Sequence, residues 1–191
     1  GFLENCLVAG NSSKSAGGLT IRGTGTRVDN CTIVANTNGG ADFARAYYGR
    51  VRNCLVYDNA GGDFTGAAGT ATYSCASSFL YSDPSNTTNS PGFRNPEGGD
   101  YRLQAASPCI DTGTTEVQAT YTTDLAGKAH WDFDGNGTAE PDMGCYEFYW
   151  TLPEVSPAVM TNYAAAGGIA TNSLQIWNGN TAIAFPYTLS E

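Results

Sequence analysis

The stretch "DFDGNG" spans residues 132–137. Asp132, Asp134 and Asn136 alternate, and Gly137 follows. The first half of a calcium loop has this order, because alternate side chains converge on one centre while the Gly permits a sharp turn. The twelfth place of such a loop carries Met143 instead of a bidentate Glu, which leaves Glu140 and Asp142 as the nearby carboxylates. The competing expectation is an Asx-rich turn that satisfies its own backbone. Calcium is the only cofactor these residues suggest.

A second set of residues brings acids and bases to recurring positions. Asp42 and Asp63 each begin an Asp-Phe pair, Arg27 and Arg50 recur at similar distance, and Asp29 matches Arg52. Acid–base catalysis needs a base and stabilising charges that converge on one substrate. Here acids and bases alternate along the chain, so no catalytic residue is assigned. Asp29 with Arg52 reads as a surface ion pair worth less than about 1 kcal/mol. Tyr47, Tyr48 and Tyr57, with Asp42 and Asp63, are the candidate glycan contacts.

The six cysteines are the third set. Zinc ligands usually come as close pairs such as C-x₂₋₄-C, whereas no two cysteines here are close and the only histidine is His130. Cys6, Cys31 and Cys54 lie 25 and 23 residues apart, and Cys75 follows 21 later in the weaker copy "ATYSCASSF". Each of the first three sits in a repeated phrase: "LENCLVAGN", "VDNCTIVAN" and "VRNCLVYDN". Gly pairs recur with them, at Gly17-Gly18, Gly39-Gly40 and Gly61-Gly62.

A period in the low twenties without helical patterning predicts a β-solenoid with three short strands per turn. Residues of equal phase then stack about 4.8 Å apart. Alternation points Leu3, Val28 and Val51 inward. Asn5, Asn30 and Asn53 take a corner, where Asn tolerates the left-handed conformation. Cys6, Cys31 and Cys54 follow as small inward plugs, then Val8, Ile33 and Val56. A second column, Asn11, Asn36 and Asn59, closes the strand, and stacked amides can bond along it.

Composition agrees. The 191 residues include 24 Gly and only 14% charged side chains, which favours short strands and turns. The net charge of −9 offers no basic face for nucleic acid. No apolar run approaches the ~20 residues of a membrane span, and no signal peptide is visible. Gly1 falls inside a repeat, so the chain reads as part of something longer.

The text changes after residue 80. "YSDPSNTTNSPGF" has loop composition. Beyond it come Pro91-Gly92-Phe93, Gly99 to Leu103, Ser107-Pro108, Ile110-Asp111, Gly113, Asp124, Gly127, Asp142, Gly144 and Tyr146-Glu147. In this order they resemble the closing segment of bacterial parallel β-helix proteins of the pectin-lyase-like superfold, called choice-of-anchor Q. The resemblance covers roughly residues 1–148. It implies a right-handed β-helix and a secreted or cell-surface location, and it says little about chemistry. In two places where that pattern commonly has a small residue this chain has Cys109 and Cys145. The departure suggests a disulfide between them, closing a loop of about 37 residues.

Residues 149–191 begin with the proline-bearing "YWTLPEVSP" and continue into "NSLQIWNGNTAIAFPYTLSE", which reads as a β-hairpin. This resembles the opening of bacterial Ig-like surface modules. The expected architecture is thus all-β: coils over 1–80, an irregular C-terminal cap over 81–148, and a linker with a trailing hairpin over 149–191. Two functions fit. One is a structural or adhesive module of a large secreted protein, with neighbouring domains of the same chain and polysaccharide as partners. The other is the C-terminal part of a polysaccharide lyase or hydrolase whose catalytic coils lie upstream.

Overall fold

The computed structural model describes residues 1–44, 49–66, 69–120, 122–130, 139–149, 172–178 and 181–187. Strands follow the repeat. The first turn holds β1 (Phe2–Glu4), β2 (Leu7–Ala9) and β3 (Leu19–Thr20). The second holds β4 (Arg27–Asp29), β5 (Thr32–Val34) and β6 (Ala41–Phe43), and the third holds β7 (Gly49–Arg52), β8 (Leu55–Tyr57) and β9 (Phe64–Gly66). β10 (Gly69–Thr72) and β11 (Cys75–Ala76) begin a fourth. They form three parallel sheets, ordered β1-β4-β7-β10, β11-β8-β5-β2 and β3-β6-β9. The architecture is an all-β solenoid of about three turns.

The register is that of the repeat. Leu3, Val28 and Val51 are in line, and so are Val8, Ile33 and Val56. With Cys31, Cys54, Ile21, Phe43 and Phe64 they form the interior of the coil. Asn5, Asn30 and Asn53 have φ of 52°, 49° and 51°, the left-handed corner that Asn tolerates better than most side chains. The Gly pairs have a steric cause. A Cβ on Gly18 would lie 2.3 Å from the Gly40 carbonyl oxygen, and one on Gly40 would lie 2.7 Å from that of Asp63. Adjacent turns approach too closely there for any side chain.

At the last rung the repeat slips by one residue. Tyr73, not an Asn, takes the corner at φ 49°. Ser74 then occupies the ladder place below Cys54, whose amide donates to Ser74 Oγ at 3.2 Å. Cys75 pairs instead with Leu55 and faces the other way. Residues 79–87 close this end of the coil. Phe79 stacks on Phe64 with centroids 5.4 Å apart, and Asn86 Nδ2 donates to the Ala71 carbonyl at 2.8 Å. Part of the expected loop therefore acts as a last rung, with Thr87 bridging Cys75.

The segment expected to cap the end of the coil lies along its side. It opens with an antiparallel pair, β12 (Phe93–Asn95) and β13 (Asp100–Leu103). Phe93, Leu103, Cys109, Met143 and Phe148 pack on Val34, Leu55 and Cys75, the outward residues of the second sheet. This second core was legible in principle: "CLVA", "CTIV" and "CLVY" are apolar at both parities, as in strands buried on both faces. Gly1–Tyr149 form one unit and Trp150–Glu191 another. The latter contains β14 (Asn172–Asn178) and β15 (Thr181–Tyr187), paired as the expected hairpin. Among the described residues no helix is long and apolar enough to cross a membrane.

Candidate functional site

The acids on the coil are held by internal partners. Arg52 Nε meets Asp29 Oδ1 at 3.2 Å, but Asp29 is only 3% exposed, so the pair is largely buried rather than a surface bridge. Asp42 aligns with Thr65, whose hydroxyl donates to Asp42 Oδ1 at 3.0 Å. Asp42 and Asp63 do not stack, because Asp63 precedes its strand while Asp42 lies within one. Asp63 is 1% exposed and accepts bonds from the amides of Asn59 and Ser77 and from the Asn59 side chain. It is a turn-closing group and is not open to a glycan. Arg27 and Arg50 stack as expected, and the Arg27 guanidinium lies 4.5 Å from the Phe2 ring centre.

Tyr57 is also not an open platform. It is half-buried against the second core, and desolvation there pushes its hydroxyl pKa up. Tyr47 and Tyr48 lie outside the described residues. Among the described residues the exposed tyrosines are Tyr81 at 61% and Tyr73 at 38%. Tyr81, Ser82 and Asp83, with Gly69 to Thr72, line an open groove of about 420 Å³. Ser85 donates from its hydroxyl and amide to Asp83, holding that carboxyl below its usual pKa. Sequence reasoning missed this groove because residues 79–87 read as featureless loop.

The second concentration of ionisable groups lies in the lateral cover. Asp142 is 1% exposed; its Oδ1 accepts from the Asp111 amide at 2.9 Å and its Oδ2 from the Phe148 amide at 2.5 Å. Glu147 Oε1 accepts from the Asp142 amide at 3.2 Å and meets His130 Nδ1 at 2.8 Å. Asp124 closes the loop, accepting from the amides of Glu147 at 3.0 Å and Lys128 at 2.6 Å. Burial, with the Glu147 charge beside it, pushes Asp142 up to about 8. Desolvation raises Glu147, while its hydrogen bond to His130 raises the imidazole. The three shifts of this cluster all favour the protonated forms. Its chemistry is that of a clasp: carboxyl oxygens terminate backbone N–H groups that no strand satisfies.

Of the expected calcium ligands, Asp132, Asp134 and Asn136 lie outside the described residues. Asp142 has both oxygens engaged by backbone amides. Glu140 Oε2 is buried without a hydrogen-bond partner. Among the described residues no group of three or more His, Cys, Asp or Glu is placed to hold a metal ion.

The expected Cys109–Cys145 bond is not seen in the structure, where all six cysteines are unpaired. The two residues sit in different surroundings. The Cys145 amide donates to Thr32 Oγ1 at 3.1 Å, and burial pushes its thiol up to about 12. Cys109 instead lies in the second core, to which Cys75 also belongs. The two cysteines of the cover thus meet different rungs of the coil.

No family model, curated protein or solved structure matches this chain.

Proposed function

We propose that this chain is a structural and adhesive module of a larger secreted or cell-surface protein. In this reading a short parallel β-helix holds neighbouring domains apart and offers a glycan contact on its flank. The observation that carries it is the engagement of Asp29, Asp42 and Asp63 by Arg52, Thr65, Asn59 and Ser77. Groups tied into the ladder are building material; a general base needs a free lone pair beside its substrate. The closing motif supports a choice-of-anchor Q segment and a surface location, and the trailing hairpin supports the start of an Ig-like module. The groove beside Tyr81 is the place for the glycan, with the ring as a stacking face and Thr70, Thr72 and Ser82 as hydrogen-bonding partners.

The test has two arms. Purified chain incubated with pectin, alginate or neutral glycans should release no unsaturated or reducing ends. Affinity electrophoresis in the same glycans should show retardation that Tyr81→Ala removes. Sugar release that Asp42→Asn abolishes would replace this reading with the enzymatic one. Calcium at Asp132, Asp134 and Asn136 belongs to the proposal too. The melting midpoint should rise with added calcium by mass action, and Asp134→Ala should remove the rise.

One observation favours the second reading, a polysaccharide lyase or hydrolase with its chemistry on other coils. Phe2 is 65% exposed, and Leu3, Cys6 and Val8 are only partly buried, whereas Val28, Cys31 and Ile33 are at 1% or less. Such an edge accommodates a further coil. An Asp cluster with Arg or Lys on coils joined to this edge in the parent protein would decide for it.

A further inference from the structure

The first turn of the coil carries bonding groups that the later turns use and it does not. The Thr32 amide donates to the Cys6 carbonyl at 2.9 Å, and the Leu55 amide donates to the Cys31 carbonyl at 2.9 Å. The Thr37 and Ala60 amides donate likewise to the Asn11 and Asn36 carbonyls, both at 2.9 Å. Leu7 and Ser12 hold the matching places on the first turn, Leu7 in register with Thr32. Among the described residues their amides have no acceptor. The Asn ladder stops there too. Asn36 Oδ1 accepts from the amide and the side chain of Asn11 at 2.9 and 3.0 Å, and Asn36 Nδ2 donates back to the Val8 carbonyl at 3.0 Å. Asn59 repeats this with Asn36 and the Ile33 carbonyl. Asn11 Oδ1 accepts nothing among the described residues, and Asn11 Nδ2 has no carbonyl of an earlier turn to meet.

Resting on the reading of this chain as part of a larger protein, we propose that this edge docks one more turn of the same coil. The parent chain ahead of Gly1 supplies it, with Asn over Asn11 and Gly over Gly18. The docking continues the interfaces that already join the first, second and third turns. Direction sets the Asn. Each ladder Asn donates from its amide and side chain to Oδ1 of the next turn, so Asn11 Oδ1 fits the Asn of a preceding turn. Space sets the Gly. A Cβ on Gly18 would lie 2.3 Å from the Gly40 carbonyl oxygen, and one on Gly40 would lie 2.7 Å from that of Asp63. A Cβ stacked over Gly18 would meet the Gly18 carbonyl in the same way. Apolar residues over Leu3, Val8 and Leu19 would complete a burial that is partial on the first turn.

A second copy of the chain does not supply such a turn. The far end of its coil is closed, because Ser85 Oγ and Asn86 Oδ1 take the Tyr73 and Ser74 amides at 2.9 and 3.0 Å. Two first turns set edge to edge would be antiparallel. Only a parallel strand places its carbonyls over Leu7 and Ser12, and its Asn over Asn11, in the register of the turns below. Successive ladder Asn are 25 and 23 residues apart, so the Asn of the docked turn should precede Asn11 by a similar distance.

The experiment extends the full chain at Gly1 with a second copy of residues 1–25. Arg27 is in register with Phe2, so this copy reaches Gly1 as the first turn reaches Thr26. Amide exchange is read with and without the extension. Leu7 and Ser12 of the original turn should exchange at least about 100-fold more slowly in the extended chain. Ile33 and Val56 should stay protected in both. Gly18→Ala in the added copy should remove the slowing, and Asn11→Ala there should reduce it by about tenfold. Unchanged exchange at Leu7 and Ser12 overturns the proposal. Self-association of the unextended chain that protects these amides also overturns it, since a second copy would then hold the edge. Slowing that survives Gly18→Ala overturns the Gly requirement. A parent sequence without Asn and Gly at these spacings ahead of Gly1 overturns the assignment of the docked turn. Retardation in glycans reads the Tyr81 groove, so failure of the adhesive reading is a separate result.

Discussion

The coil and its lateral cover solve the same problem in different ways. Both must satisfy backbone groups in a chain with little regular structure. In the coil each rung supplies the partners of the next, and side-chain amides repeat the pattern. Asn11 Nδ2 donates to Asn36 Oδ1 at 3.0 Å, and Asn36 Nδ2 donates to Asn59 Oδ1 at 2.9 Å. In the cover nothing repeats. There Asp142, Glu147 and Asp124 bind the amides of Asp111, Phe148, Asp142, Glu147 and Lys128 one by one. A neutral ladder tolerates change in pH and the loss of one member. A buried carboxyl clasp does neither.

The sharpest way to break the distinction is at the seam. Asn53 belongs to both regions: its Oδ1 accepts from the Thr114 amide at 2.8 Å, and its Nδ2 donates to the Thr114 carbonyl at 2.9 Å. Asn53→Ala should cost about 3 kcal/mol, from two buried hydrogen bonds and a strained corner. Asn5→Ala, at the equivalent corner of the partly exposed first rung, loses only one exposed bond to the cover, from Asn5 Nδ2 to the Thr123 carbonyl at 3.1 Å, and should cost about 1 kcal/mol. Equal losses in urea denaturation would show that the cover does not depend on this corner.

Gly144 tests the seam from the other side. At φ +108° its Cβ would lie 2.8 Å from Leu55 Cδ1 and from Thr32 Oγ1. Gly144→Ala should cost about 2–3 kcal/mol. Amide exchange should accelerate in the cover and stay slow at Ile33 and Val56. Acceleration throughout the coil would mean that the two regions unfold as one.

A smaller effect is expected from pH. Asp142 has its folded pKa raised to about 8, and Glu147 and His130 are raised too. At these three groups the folded cover binds more protons than the unfolded chain, so their contribution to its stability is greatest at low pH. That contribution is lost as pH rises, from the ordinary carboxyl range through about 8 for Asp142. Protection of the Asp111 and Phe148 amides, corrected for intrinsic exchange, should fall by about 1 kcal/mol or more across that window. Coil amides should not follow. Asp142→Asn should flatten the slope; a slope unchanged in that variant would assign it to other groups.

The smallest effect belongs to the interior ladder. Cys54 Sγ lies 3.0 Å from the Arg52 carbonyl, and on the next rung Ser74 Oγ makes the same contact with Thr72 at 2.9 Å. Cys54→Ser should thus change stability by no more than about 1 kcal/mol. A large loss would show that the thiol's apolar character, not its size and donor, is what the rung requires.

Residues 1–66 could be read almost rung by rung from the chain. Asn5, Asn30 and Asn53 marked the corner, Leu3, Val28 and Val51 the interior, and the Gly pairs the tight approach, because a repeat brings equal phases together whatever the rest of the molecule does. What the repeat could not specify was anything without a periodic partner. The slip that puts Ser74 in place of Cys75 is a single-residue change of phase. Asp63 looked like an outward acid until the turn buried it against Asn59 and Ser77. Cys109 and Cys145 looked like partners because both stood out in the same segment. Their surroundings, the second core for one and Thr32 for the other, depend on how the cover lies along the second sheet. Local sequence determined the coil, since its contacts are between equivalent positions. Only tertiary packing decided the cover, since its contacts join segments with no shared period and are selected by burial and by the direction of individual side chains.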